Sequence, residues 1–273
     1  GKTTTMRIIT GYMPPTRGQV TLGGYDVVEQ SLQARRKIGY LPETVPLYTD
    51  MTASGYLKYM GTLRGMPPKS VNRRVGEVVD VCRLGDYRKS IIGKLSKGFR
   101  QRVGIAQAII HEPEVLVLDE PTIGIDPIQV VETRRLIKDL GKDQTVGLSS
   151  HILPEVSMLC DRVLIINEGR IVAEDTPKNL AEGLQGVDRL EVEVGGPAAE
   201  ILPVLKAVRG VNDVSHLNNN GRHTYTIQAQ AGQDLRDAIS QAVISNGWSL
   251  RGLQMVGMSL EEIFLRLTTH EEL

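Results

Sequence analysis

LSKGFRQRVGIAQAII (Leu95–Ile110), followed after three residues by EVLVLDE (Glu114–Glu120), is the stretch on which the reading of this chain turns. Ser96 and Gly98 open a long helical run. A helix opened by a Ser-x-Gly turn presents unpaired backbone N–H groups and the positive end of its dipole, which together make an anion site. Taken alone, the same turn is a helix cap. EVLVLDE reads as a buried strand ending in two carboxylates, Asp119 and Glu120. Ligands of open α/β sheets sit beyond such carboxyl ends. There, one carboxylate can complete a metal site and the other can orient water; alternatively both cap the strand and meet solvent.

Upstream, the chain opens GKTTTMRIIT. Gly1-Lys2-Thr3 is the tail of a phosphate-binding loop, in which the lysine neutralises the β- and γ-phosphates and the next hydroxyl holds magnesium. By itself the triplet is also an ordinary helix start. TTMRIITG then reads as a helix, stopped by Pro14-Pro15-Thr16-Arg17-Gly18. GQVTLGG and KIGYLPE read as short strands. From Met51 to about Lys94 the pattern turns helical, with one stripe at Leu57, Met60 and Leu63 and another at Val71, Val75, Val78, Val79 and Cys82.

Downstream, TVGLSSH and RVLIINEGRIVAE are further strand-like runs, separated by helical segments such as PIQVVETRRLIKDL. Strand and helix in alternation predict a mostly parallel sheet covered on both faces. His151 follows one of these strands, where it can contact a γ-phosphate or serve in local capping. A chain that already gathers Lys2, Asp119 and Glu120 in one nucleotide site has no need of a second phosphate-binding helix at Ser96–Gly98. A second chain could use it.

The length, 273 residues, exceeds one typical domain and predicts a large α/β domain with a smaller one behind it. Apolar residues make up 41% and formal net charge is zero. Of 32 cationic and 32 acidic side chains, 7 and 11 lie from Gln185 onward, leaving 25 and 21 ahead of it. That mild asymmetry suits an anionic ligand in the front half but gives no concentrated basic face, so nucleic acid is not expected as a partner. Two cysteines, Cys82 and Cys160, lack metal or redox spacing and read as packing residues in a reducing compartment. No apolar run approaches the ~18 residues of a membrane span, and a cytoplasmic protein is expected.

Taken together, the motifs resemble those of the ATP-binding subunits of ABC transporters, in family order. GKTT matches the end of Walker A, IGYLPE the Q-loop with Glu43 in the glutamine position, and LSKGFRQRV the signature with Lys97 where glycine is usual. VLVLDEP matches Walker B, GIDP the D-loop with Asp126, and SSHIL carries the switch histidine, His151. The resemblance covers about residues 1–184, with a helical subdomain at about 50–110, and implies a P-loop NTPase of ABC type that begins within Walker A.

It implies ATP and Mg2+ as cofactors. Glu120 and His151 become the catalytic pair; Gly1, Lys2, Thr3, Thr4, Glu43, Ser96, Gly98 and Asp126 the nucleotide contacts; and Thr3, Asp119 and Glu43 the metal ligands. Two subunits, identical or paired, would stack head to tail, with Ser96 and Gly98 of one chain facing the nucleotide of the other. Lys97 could then offset in trans the extra charge of Glu43. An integral-membrane permease of ABC-2 type would be the transport partner, as in the gliding-motility, copper-maturation and drug-export ATPases. This puts the subunit on the inner face of the cell membrane. A soluble ABC ATPase acting on ribosomes or DNA usually carries two cassettes or a long coiled coil, and this chain has neither. A non-hydrolysing scaffold would not need both Glu120 and His151.

Residues 185–273 read strand, helix, strand, strand, helix, strand, the ferredoxin-like order, with a central turn at Asn218-Asn219-Asn220-Gly221. SLEEIFLRLT closes the chain as an amphipathic helix with Leu260, Ile263, Phe264 and Leu267 on one face. No residue set in this tail has catalytic spacing, which leaves a packing or docking role.

Overall fold

The computed structural model describes residues 1–183, 187–219, 222–230, 233–257 and 259–268. They form two compact units, Gly1–Leu159 and Cys160–Leu273. The boundary expected at 184/185 falls in a segment outside the described residues, as do Asn220 and Gly221 of the expected hairpin turn.

In the first unit, helix α1 (Lys2–Ile9) precedes a small antiparallel ribbon, β1 (Thr21–Leu22) with β2 (Tyr25–Asp26). Helix α2 (Ser31–Lys37) leads straight into β3 (Ile38–Leu41). The helical insert follows as α3 (Ala53–Leu63) and α4 (Pro68–Val81), then α5 (Lys97–Ile109). Strand β4 (Val115–Asp119), α6 (Pro127–Leu140), β5 (Thr145–Ser149) and α7 (Leu153–Leu159) complete the unit. The sheet is parallel in the order β3-β4-β5, as the alternating pattern predicts.

Its core accounts for the sequence stripes except at Leu63, which the first stripe included and which is 61% exposed at the end of α3. Leu57 of α3, Val71, Val75, Val78 and Val79 of α4, and Val103, Ile105 and Ala106 of α5 form one apolar cluster with Leu116 and Leu118 of β4. A fully buried aliphatic side chain of this kind contributes about 1.5–3 kcal/mol. Gly39 permits the tightest contact: a Cβ there would collide with the Ala108 carbonyl, so only glycine lets β3 lie this close to α5. Helix α5 is buried along most of its length, with Gly98 the buried residue of its first turn.

In the second unit, RVLIINEGRIVAE is not one parallel strand. It splits into an antiparallel hairpin, β6 (Val163–Asn167) and β7 (Arg170–Asp175). Glu168 and Gly169, at φ +48° and +78°, make the turn; two consecutive positive φ values match the twist of hairpin strands. Helix α8 (Pro177–Gly183) follows.

Then come β8 (Val187–Gly195), α9 (Ala198–Lys206), β9 (Val211–Asn219), β10 (Arg222–Gln230), α10 (Arg236–Ser245) and β11 (Ser249–Met255). The sheet order β11-β8-β10-β9 is antiparallel throughout, the ferredoxin-like arrangement expected of the tail. Leu190, Val192, Val194, Tyr225 and Ile227 bury their shared face with Ile201 and Leu205 of α9 and Ile239 and Val243 of α10. Helix α11 (Leu260–Thr268) packs against α8 and β6, with Leu260 and Ile263 buried and Phe264 largely exposed.

Candidate functional site

Parallel pairing sets the centre of the site. Leu41 of β3 lies opposite Leu118 of β4, and Asp119 lies opposite Ser149 of β5, so three strands end along one edge. Asp119 is 1% exposed, and its Oδ1 accepts from the Ser149 hydroxyl. Its Oδ2 is buried without a hydrogen-bond partner. An orphaned carboxylate oxygen in such a place costs about 1–3 kcal/mol or more, which a cation bound there would offset. The arrangement fits a hard divalent ion.

Glu120 takes the left-handed region at φ +49°, a strained choice for a residue with a Cβ. The conformation is held from two sides. Its N–H donates to both the carbonyl (3.2 Å) and the hydroxyl (3.1 Å) of Ser149, and its carbonyl accepts from the Ile123 N–H at 3.2 Å. The side chain, turned back along the sheet edge, meets His151: Nδ1 lies 2.8 Å from Glu120 Oε2. Glu120 is 8% exposed while the His151 ring is open to solvent. With Nδ1 donating to the carboxylate, Nε2 faces outward as acceptor in the neutral ring and as donor in the imidazolium.

Tyr40 of β3 lies within reach of the Asp119 charge. Partial burial, followed by the charge of Asp119, pushes its phenol up, while the Arg7 guanidinium opposes the shift. Neither Tyr40 nor Ser149 was singled out from the sequence. The register Asp119↔Ser149 is the signal that finds Ser149, once TVGLS is paired in parallel with VLVLD.

The other candidates fall in two places. Gly1 caps α1, and Lys2, Thr3 and Thr4 form its first turn, with Lys2 and Thr4 exposed and Thr3 half-buried. Helix α1 packs on β4, and Glu43 lies exposed just past the carboxyl end of β3, the neighbour of β4. Ser96, Gly98 and Asp126 form a second grouping. Ser96 caps α5 by accepting from the Phe99 N–H at 3.4 Å, and Asp126 caps α6 by accepting from the Gln129 N–H at 3.0 Å.

Gly98 brings these two helix starts together, since a Cβ there would lie 2.9 Å from Gln129 Cγ. The Lys97 ammonium lies against Gly124 of the same chain. A cleft of ≈ 540 Å³ beside this turn is lined by Tyr87, Lys89, Lys94, Ser96 and Phe99, away from the carboxylate pair. Among the described residues there is no cluster of three or more His, Cys, Asp or Glu side chains arranged for a metal, so any ion here would complete its shell from elsewhere.

A parallel sheet whose strand ends carry a buried aspartate and a glutamate–histidine pair, with a helix opening on Gly-Lys-Thr packed on its central strand, has the arrangement of a P-loop nucleoside-triphosphatase. The chain belongs to the ATP-binding subunits of ABC transporters. The family model for ABC transporters matches residues 1–123. The linearmycin resistance ATP-binding protein LnrL of Bacillus subtilis (strain 168) is 32% identical over 271 residues, covering 98% of this chain and 86% of its own. The bacitracin transport ATP-binding protein BcrA of Bacillus licheniformis is 32% identical over 269 residues, covering 98% and 84%. A solved ATP-binding subunit of an ABC transporter superposes with a TM-score of 0.60 at 31% identity, covering 68% of this chain and 79% of that one. The protein is accordingly an ATP-binding ATPase subunit of a transporter. No described helix is long and apolar enough to cross a membrane.

Proposed function

We propose that this subunit powers export through a separate ABC-2-type permease by hydrolysing ATP between two subunits stacked head to tail. The observation that carries the mechanism is the Glu120–His151 pair, one carboxylate oxygen bound to the ring at the end of a buried strand. Glu120 is the base that orients the attacking water, and His151 presents Nε2 to the γ-phosphate. Lys2 neutralises the β- and γ-phosphates at the start of α1, where the helix dipole adds to its charge. Thr3, Asp119 and Glu43 would hold Mg2+, which when bound screens the phosphate oxygens.

The signature turn supports the paired arrangement. Ser96 caps α5, and Gly98 keeps that turn close to the Asp126-capped start of α6. They would serve the nucleotide of the neighbouring subunit. Export is favoured by the similarity to proteins named for resistance and for bacitracin transport. For the permease, the helical insert offers an aromatic group: Tyr48 and Tyr59 are both exposed and lie 5.7 Å apart, with Tyr48 also edge-on to the buried Tyr56. Exposed aromatics backed by a rigid core are suited to anchoring a partner helix.

The test is Glu120→Gln in the full-length subunit. ATP binding should persist while turnover falls by about 10²–10⁴-fold, the usual contribution of a positioned base, and an ATP-bound dimer should accumulate on size exclusion. Turnover at the parental rate would remove Glu120 from the mechanism.

A further inference from the structure

We infer that Glu155 and Thr122 are positioning residues that fix the spacing between Glu120 and His151. Glu155 is a carboxylate 2% exposed in the first turn of α7, four residues past His151. Its Oε2 accepts from the Thr122 hydroxyl at 2.6 Å, and Thr122 lies two residues past Glu120 and is itself 3% exposed. Its Oε1 accepts from the Arg134 guanidinium of α6 at 2.5 Å. Both carboxylate oxygens are therefore used, and the buried charge is paired.

The geometry gives this cluster a purpose beyond holding α7. The turn Glu120–Ile123 and the segment starting at His151 are joined twice in parallel: once by Glu120 Oε2 with His151 Nδ1, and again by Thr122 with Glu155. The first link is the one the reaction uses. Among the described residues its partners' side chains make no other hydrogen bond, His151 is open to solvent, and Glu120 sits in a strained backbone conformation. The Ser149 and Ile123 bonds hold the Glu120 backbone, but they do not fix the segment that carries the exposed His151 ring, which needs a tie of its own. The Thr122–Glu155 bond is that tie, a clamp between the two segments.

Arg134 extends the clamp to α6, whose first residues follow the Asp126 cap. A displacement of the α6 start, which faces the signature turn, would then reach the glutamate–histidine pair through one buried carboxylate. Glu155 and Thr122 touch no reacting atom; they act through Glu120 and His151. The inference rests on the reading of Glu120 as the base.

The test uses the full-length subunit and four variants. Thr122→Val removes the hydroxyl at constant shape and should lower kcat roughly tenfold to a hundredfold, the scale of a misplaced catalytic group. KM for ATP should stay within about twofold, because ground-state binding is untouched. Thr122→Ser keeps the hydroxyl and should restore kcat. Glu155→Gln keeps size but loses the charge facing Arg134, and should fall between them. Glu120→Gln serves as the reference. If it is inactive while Thr122→Val turns over at the parental rate, the clamp is wrong and the base stands. If Glu120→Gln is itself active, both fall. A loss in Thr122→Val that Thr122→Ser fails to rescue, or one matched by an equal rise in KM, also overturns the clamp. Should Thr122→Val fail to fold, Thr122→Ala is read by the same criteria.

Discussion

At the residue scale, His111 shows how burial writes a pH dependence into the fold. Its Nε2 donates to the Ile38 carbonyl at 3.0 Å, while Nδ1 is buried with no partner. Burial first, then the neighbouring Arg64 charge, push its pKa down to about 4; the bond to Ile38 opposes this and Arg74 adds to it. The folded state thus keeps His111 neutral where the unfolded chain, at 6.5, already binds the proton. Stability is present above pH 6.5 and is lost as the pH falls toward 4. His111→Gln retains a donor for Ile38 and removes the titration. It should make the acid limb of a denaturant-midpoint curve shallower by about 2 kcal/mol, after allowance for partial exposure. An unchanged limb would show that other groups govern it. Residues of this kind were not legible beforehand. Lys2, Asp119, Glu120 and His151 carry motif spacing, whereas His111, Ser149, Thr122 and Glu155 gain meaning only from their bonds across the fold, which sequence separation conceals.

At the element scale, the starts of α5 and α6 behave as one feature. Two capped helix N-termini lie together because Gly98 admits Gln129, and Lys97 extends over Gly124 at φ +64°. The apolar side of the turn is fixed by Phe99, whose ring lies 4.0 Å from Tyr87 and under the Arg102 guanidinium at 5.3 Å. The expectation that Lys97 offsets Glu43 across a subunit pair must now compete with a cis role, since the ammonium already has a place on its own chain. Glu43 is exposed in the loop after β3. We therefore expect Glu43→Gln and Lys97→Gly to combine additively in ATP affinity, within about 0.5 kcal/mol. A larger coupling that shrinks at high salt would restore the trans pairing. Elements were legible where periodicity ran long: α4, α5, α6 and β4 follow their apolar stripes. They were not where a turn was read as part of one strand run, as in β6–β7, where Asn167-Glu168-Gly169-Arg170 closes a hairpin inside RVLIINEGRIVAE.

At the scale of the whole molecule, the division into compact units falls ahead of the hairpin rather than behind it. The ferredoxin-like order of the tail was legible because each of its strands alternates and its helices have the right length. The grouping of β6, β7 and α8 with that tail was not, since it depends on the chain's last described helix returning to them. Helix α11 sets Leu260, 4% exposed, and Ile263, fully buried, into the unit that α8 and β6 share. Arg189 of β8 adds an ion pair to Glu262 of α11, and Glu262 accepts from the Ser259 N–H at 2.9 Å to open the helix as a capping box. Partial burial pushes the Glu262 carboxyl up, but the Arg189 hydrogen bond, the Ser259 bonds and the Arg189 charge together outweigh it and hold the carboxyl below the usual range. Exposed ion pairs contribute little, so the apolar pair should dominate. Ile263→Ala should cost about 2–5 kcal/mol, the range for emptying a buried aliphatic site, whereas Glu262→Gln should cost at most about 1 kcal/mol. Because the first unit has its own core, the loss should appear in the thermal transition of the second unit, with the ATP-dependent shift of the first preserved. Equal lowering of every transition by Ile263→Ala would mean that the two units unfold together.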